Sequence, residues 1–395
     1  MKHITKTIWV LSLVSLFTDA ASEMLYPVMP VYLKTIGFSV LLIGVLEGIA
    51  EATAGLSKGY FGKLSDSSGK RVPFVQIGYA LSALSKPMMA VWINPLWIFF
   101  SRTTDRLGKG IRTGARDALL SDEATPETKG RIFGFHRSMD TLGAVIGPVG
   151  ALIYLYFFPQ DYTTLFYFAL IPGMLAVFAS LILKERNKAS HSKINSYSPF
   201  SFFYYWKESP VAYRKLVIGL LVFALFNSSD VFLLLKAKEA GLNDTLVISA
   251  YVFYNLVFAI FAFPTGIIAD KIGLKFIFIV GLALFSLVYF GMAINTNSYV
   301  CFVLFFIYGI YAAFTDGISK AWISNISEKK DTATAIGFYS GFQSICALVA
   351  SSLTGFIWYR YGGNMAFYIT GIMTVGVIIY FLLNVPLKKK NYLQK

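Results

Sequence analysis

Gly62-Lys-Leu-Ser-Asp66-Ser-Ser-Gly69-Lys70-Arg71 returns as Gly266-Ile-Ile-Ala-Asp270-Lys271-Ile-Gly273-Leu-Lys275, at an offset of 204 residues (266 minus 62). The chain downstream of each copy repeats as well: 122–134 aligns with 325–337 at an offset of 203 (325 minus 122). The glycines permit a tight turn and close helix approach, while the aspartate suits a helix cap or a pairing with a base across a bundle. Each copy sits between long apolar stretches. Such a duplication predicts two similar helical units in parallel repeat, related by an axis along a membrane normal, with a site between them.

Working outward, the apolar stretches number about twelve, each long enough to cross a bilayer. They lie near 7–33, 38–62, 73–92, 96–120, 131–158, 163–183, 214–235, 245–268, 274–294, 298–323, 332–358 and 363–386. Of the 395 residues, 56% are hydrophobic and 14% charged, and the mean hydropathy is +0.61. That balance excludes an ordinary soluble domain. The first stretch starts like a signal peptide, with Lys2, His3 and Lys6 ahead of an apolar run, but it continues through Asp19, Glu23 and Pro27 and reads as a retained span. The expected fold is therefore all-α, with twelve transmembrane helices in two pseudo-symmetric six-helix bundles. The bundles are expected at 1–184 and 214–395. A polar cytoplasmic linker at 185–213 joins them, with an interfacial helix around 200–206.

The net charge of +14 (35 basic minus 21 acidic) reads as topology rather than nucleic-acid affinity. Basic residues gather at the N-terminus, at Lys63, Lys70 and Arg71, between Lys184 and Lys215, at Lys271 and Lys275, at Lys329 and Lys330, and at 388–390. Alternate loops at 92–97 and 295–298 are nearly uncharged, although Lys236 and Lys238 fall on the outer side. The positive-inside rule then puts both termini in the cytoplasm, in a multi-pass protein of the bacterial inner membrane. Both cysteines, Cys301 and Cys346, fall inside spans and read as small buried hydrophobes, so no disulfide framework, metal site or cofactor is implied.

The stretch 96–120 ought to be lipid-buried, yet it carries Arg102, Asp105, Arg106, Lys109, Arg112, Arg116 and Asp117. At about 100° per residue, its five bases and Asp105 fall within an arc of roughly 120°. A charge at the bilayer centre costs at least ~3 kcal/mol. A stripe of them requires a watery cavity, internal partners or a charged substrate.

The duplicated loop resembles the signature of the major facilitator superfamily, Gly-x3-Asp-Arg/Lys-x-Gly-Arg/Lys-Arg/Lys, through Gly62, Asp66, Gly69, Lys70 and Arg71 and, in the second copy, Gly266, Asp270, Lys271, Gly273 and Lys275; Ser67 replaces the usual base. Span 5, Gly134-x8-Gly143-x3-Gly147-Pro148, resembles the antiporter signature of the proton-coupled drug and metabolite exporters of that superfamily, with its terminal glycine pair reduced. Gly143 and Gly147 also form a face for close helix packing, and Pro148 supplies a kink. Arg106-Leu-Gly-Lys109-Gly110 resembles the family's Arg-x-x-Gln-Gly, and Tyr26-Pro27-Val-Met-Pro30 looks like the exporter branch. The resemblance implies alternating access, a latch at the signature loops and a proton-coupling role for Arg106.

Carboxylate pairs four residues apart repel on one helix face, so Asp19 with Glu23 and Glu47 with Glu51 are candidates for carrying a proton, the alternative being ion pairs to the span 4 bases. Lys86 is a further possible partner for these acids. His136 and Asp140 share a face of span 5 and are relay candidates. Arg102, Arg106, Lys109 and Arg112, with Asn227 and Asp230 on span 7 opposite them, are the candidate substrate contacts. Asp316 and Lys320, four apart on span 10, are expected to pair with each other.

Enzyme signals are weak. Gly55-Leu-Ser57-Lys-Gly59 fits a hydrolase elbow only outside a helix, and no phosphate-binding loop is present to drive a pump. The expected protein is a transporter and not an enzyme: a monomer exchanging protons for a small anionic or zwitterionic solute, such as an organic carboxylate, a siderophore or a drug-like metabolite. Uptake of the same anions is the alternative, and a non-transporting receptor or scaffold the rival from another class.

Overall fold

The computed structural model describes residues 4–26, 28–29, 32–33, 36–38, 40–185 and 201–385. Among them, eleven long helices and one broken pair follow the twelve expected spans: α1 Lys6–Leu25, α2 Val40–Ser68, α3 Val72–Val91, α4 Pro95–Asp122, α5 Lys129–Phe157, α6 Tyr162–Ser180, the pair α7a Val211–Ala224 and α7b Val231–Glu239, α8 Asp244–Ile272, α9 Leu274–Ile294, α10 Ser298–Ile326, α11 Thr332–Tyr361 and α12 Gly363–Asn384. Eight of these helices are long and apolar enough by composition to cross a membrane. The remainder are α2, α3 and α4, which carry internal charges, and the interrupted α7.

Local chemistry fixes the helix ends. The Asn94 carboxamide accepts from Leu96 N at 2.9 Å, with Pro95 in the first turn of α4. Asn243 and Asn297 cap α8 and α10 in the same way, accepting from Leu246 N at 2.9 Å and Tyr299 N at 2.8 Å. Each cap satisfies amides that a helix start leaves without intrahelical partners.

Two expected spans differ. The first helix stops at Leu25 rather than running to Leu33; Pro27 and Pro30 lie outside the described residues. Span 7 is not continuous. It unwinds through Leu225–Asp230, where Asn227-Ser-Ser-Asp230 sets four polar residues in a row. Side chains of that type bond to nearby backbone and favour turns over helix interiors.

The linker region 186–200 lies outside the described residues. The expected interfacial helix is a short turn over Ser201–Tyr204 leading into Tyr205–Glu208. It packs across both halves. The Phe202 ring fills the space over Gly59 of α2, and Trp206 stacks on Phe338 of α11 with centroids 5.8 Å apart.

Within the first half, α5 runs against α1, where Gly143 and Gly147 let the backbone at Leu16 and Ala20 approach directly. Pro148 continues that buried face inside α5. Between the halves, α2 packs on α11 and α5 on α8. A Cβ at Gly62 would lie 2.5 Å from the Ala333 carbonyl oxygen, and one at Gly134 would lie 2.5 Å from that of Ala262. Both seams lie toward the end of the molecule that carries the duplicated loops, the loop end.

A charged cavity closed at the loop end

A cavity of about 440 Å³ lies between the two halves beyond those seams. The α4 stripe forms its wall: Arg102, Asp105, Arg106, Lys109, Arg112 and Arg116 all line it. From the other half, Asn227 and Asp230 at the break in α7 face the same space, together with Tyr251 and Tyr254 of α8 and Tyr308 and Tyr311 of α10.

Several of the stripe's charges have partners among the described residues. Asp105 sits between Lys86 Nζ at 2.8 Å and Arg102 Nη1 at 3.6 Å, so Lys86 serves the stripe's own carboxylate rather than the acids of spans 1 and 2. Arg106 Nη1 lies 3.2 Å from Glu51 Oε1. Arg112 donates to Ser82 Oγ at 2.5 Å, with its guanidinium 4.6 Å from the Tyr79 ring centre. Lys109 Nζ has neither an ion pair nor a hydrogen bond among the described residues.

The acids separate into two groups. Glu51 is engaged by Arg106, and Asp140 by Arg137 and the Ser15 hydroxyl. Asp19, by contrast, lines the cavity with no ion pair or hydrogen bond at its carboxylate among the described residues, and Glu23 accepts only from Tyr251 Oη, at 3.3 Å. The helix backbone at Glu47 is described, but its side chain lies outside the described residues. His136 is buried, and its Nε2 has no hydrogen-bond partner among the described residues.

Asp316 and Lys320 do not pair with each other. Asp316 meets Arg137 of α5, and Lys320 Nζ lies 3.0 Å from Asp117 Oδ2 on α4, whose other oxygen is 2.9 Å from Arg116. Two ion pairs thus cross between the halves on the loop-end side of the cavity. Helical spacing identified the face of α10 correctly. It gave no information on which neighbouring helix supplies closer partners.

The duplicated loops close that end. Asp66 Oδ2 accepts from Thr334 N at 2.7 Å and Thr334 Oγ1 at 2.8 Å, at the start of α11. Its other oxygen lies 3.3 Å from Arg71 Nη2, and Arg71 Nε reaches Asp122 at 3.1 Å. The second copy does the same in reverse: Asp270 accepts from Gly130 N at 2.7 Å and Arg131 N at 2.8 Å, at the start of α5. Each signature aspartate therefore caps a helix of the opposite half, and each places negative charge at a positive helix end. Gly69 and Gly273 have φ values of +65° and +110°, backbone that favours glycine. Gly266 packs directly on Gly130, and Lys70 is exposed beside the turn. Lys271 follows Asp270 at the end of α8. Toward the other end, Tyr251 to Glu23 bridges the halves across the cavity.

The sequence pattern of the Major Facilitator Superfamily matches residues 11–253 and 216–394. An MFS-type transporter of Methanocaldococcus jannaschii is 29% identical over 389 residues, covering 96% of each chain. The quinolone resistance protein NorA of Staphylococcus aureus is 28% identical over 165 residues, 42% of this chain and 41% of NorA. In fold, the chain resembles the transporter FucP in its outward conformation, with a TM-score of 0.77, 12% identity and coverage of 97% and 99%. It also resembles the human organic anion transporter MFSD10, with a TM-score of 0.73, 14% identity and coverage of 95% and 98%. With its duplicated loops, its two bundles and a cavity between them, the chain belongs to the Major Facilitator Superfamily and is a membrane-embedded, multi-pass transporter rather than an enzyme.

Proposed function

We propose that this transporter moves a small anionic or zwitterionic solute by proton-coupled alternating access, in the direction of efflux, across a bacterial inner membrane with both termini in the cytoplasm. The observation that carries this reading is the α4 stripe. Five bases share one wall of a 440 Å³ cavity, and Lys109 is left there without a bonded partner among the described residues. Leaving the Lys109 charge without such a partner is costly, and an anionic group on the solute offsets that cost. The relation to NorA, a quinolone resistance protein by name, supports efflux.

The loop end corresponds to the cytoplasmic side by its basic residues. Opening it breaks the caps at Asp66 and Asp270 together with the two crossing ion pairs. Among the acids whose side chains are described, Asp19 takes up a proton without first losing a bonded partner. Neutralising it removes a negative charge facing Lys109 and so resets the charge balance of the cavity. Exchange requires that proton and solute bias the two-state equilibrium in opposite senses.

Uptake of the same anions uses the same parts, and the direction of the driven flux separates the two. Proteoliposomes loaded with an organic anion test the function. Acidifying the side opposite the loop end should drive the anion outward across that side, while an inward flux on acidifying that side would establish uptake. An absence of any proton-linked anion flux would leave a receptor or scaffold as the better reading.

A further inference from the structure

We infer that Asp230 and the tyrosines around it form a cation-recognising subsite, so that the transported solute is a zwitterion with its positive end in the second half of the protein. This rests on the anion-binding reading of the α4 stripe and specifies what lies opposite it.

Asp230 occupies the N-cap position of α7b, where an aspartate ordinarily accepts from the helix's own first amides, yet its side chain makes no such bond. Both oxygens turn instead to phenols: one accepts from Tyr254 Oη, the other from Tyr308 Oη at 2.6 Å. No lysine, arginine or histidine among the described residues pairs with it. Two neutral donors orient the half-buried Asp230 carboxylate without cancelling its charge, which leaves that charge to attract a cation. The break in α7 delivers this carboxylate into the cavity wall.

The surrounding surface suits an organic cation. Tyr254 meets Tyr308 and Tyr251 edge to face, with centroids 5.3 Å and 5.4 Å apart, and Tyr308 lies 5.2 Å from Tyr311. All four rings line the cavity. Two of the hydroxyls donate to Asp230 and that of Tyr311 accepts from Asn227 at 3.1 Å, which holds the rings around the carboxylate. Aromatic faces beside a carboxylate recognise alkylammonium groups through cation–π attraction. Across the cavity, Lys109 and Arg106 offer the complementary charge.

The test uses the purified full-length protein in nanodiscs and three probe series of matched chain length: linear carboxylates, ω-trimethylammonio carboxylates, and alkyltrimethylammonium ions. Titration calorimetry should find one zwitterion bound about ten-fold or more tighter than both single-charge analogues of its length. Asp230→Asn should bring that advantage to within about two-fold. Tyr254→Phe with Tyr308→Phe keeps the rings, removes the orienting donors and should reduce it in part; this pair carries the test if Asp230→Asn fails to fold. A carboxylate that binds as tightly as its zwitterion, or an advantage that survives Asp230→Asn, overturns the inference while leaving the anion reading intact. An ammonium ion that binds where the carboxylate does not, with Arg106→Ala unaffected, overturns the anion reading itself. No binding by any of the three series overturns both.

Discussion

Arg106 and Asp19 carry separable predictions. Arg106 faces the cavity and engages Glu51 at 3.2 Å, so on the proposed reading Arg106→Ala removes a binding charge together with the ion pair to Glu51. Apparent affinity for an anionic solute should fall by about ten-fold or more, as read from the concentration dependence of uptake into proteoliposomes. Arg106→Lys should recover part of that loss, because charge is kept while the fork geometry is not. Asp19→Asn should abolish accumulation driven by a pH gradient but spare solute-for-solute exchange; if uphill accumulation survives, another acid carries the proton. The stripe itself was legible in the sequence, because its periodicity fixes which side chains share a face. Its partners were not. Lys86 turns to Asp105, and Asp316 and Lys320 turn to Arg137 and Asp117, because partner choice depends on helix neighbours that no local spacing encodes.

Among the helices, α5 and α7 are the informative ones. Gly134 is the point where α5 meets α8 of the other half, and Gly143 and Gly147 are where it meets α1. Gly134→Val would push side-chain atoms into the Ala262 carbonyl and exclude the closed seam, whereas a substitution at Gly143 disturbs packing within one half. Gly134→Val should therefore abolish transport while the protein stays monodisperse, and Gly143→Val should lower thermal stability as well. Equal melting temperatures for the two variants would contradict this division. The break in α7 had a signal in the chain, the polar run Asn227-Ser-Ser-Asp230, which outweighs the apolar residues on either side. The phenols that hold Asp230 had none, since Tyr254 and Tyr308 lie in helices rich in aromatic residues with no pattern that marks them out.

Across the whole molecule, the duplicated loop predicted two similar halves, and each copy proves to cap a helix of the half opposite. Neither copy could reveal that reciprocity alone, because the capped amides at Thr334 and Gly130 belong to the other repeat. Asp66→Ala should weaken the closed loop end by about 1 kcal/mol, or five-fold in the equilibrium. In a background with Cys301 and Cys346 replaced, a cysteine placed at Ser340, which lines the cavity, should then label faster with an impermeant thiol reagent added at the loop end. An unchanged rate would mean that the aspartate does not hold that end shut. At this scale the proposed role of the charged α4 wall is to handle a charged solute in exchange for protons. Proton flux in proteoliposomes tests that role most directly, with organic anions and lipophilic cations offered in turn to the wild type and to Arg106→Ala. Anion-dependent proton movement that disappears in Arg106→Ala is the predicted result; cation-dependent movement that persists in Arg106→Ala would make the stripe structural and contradict the account.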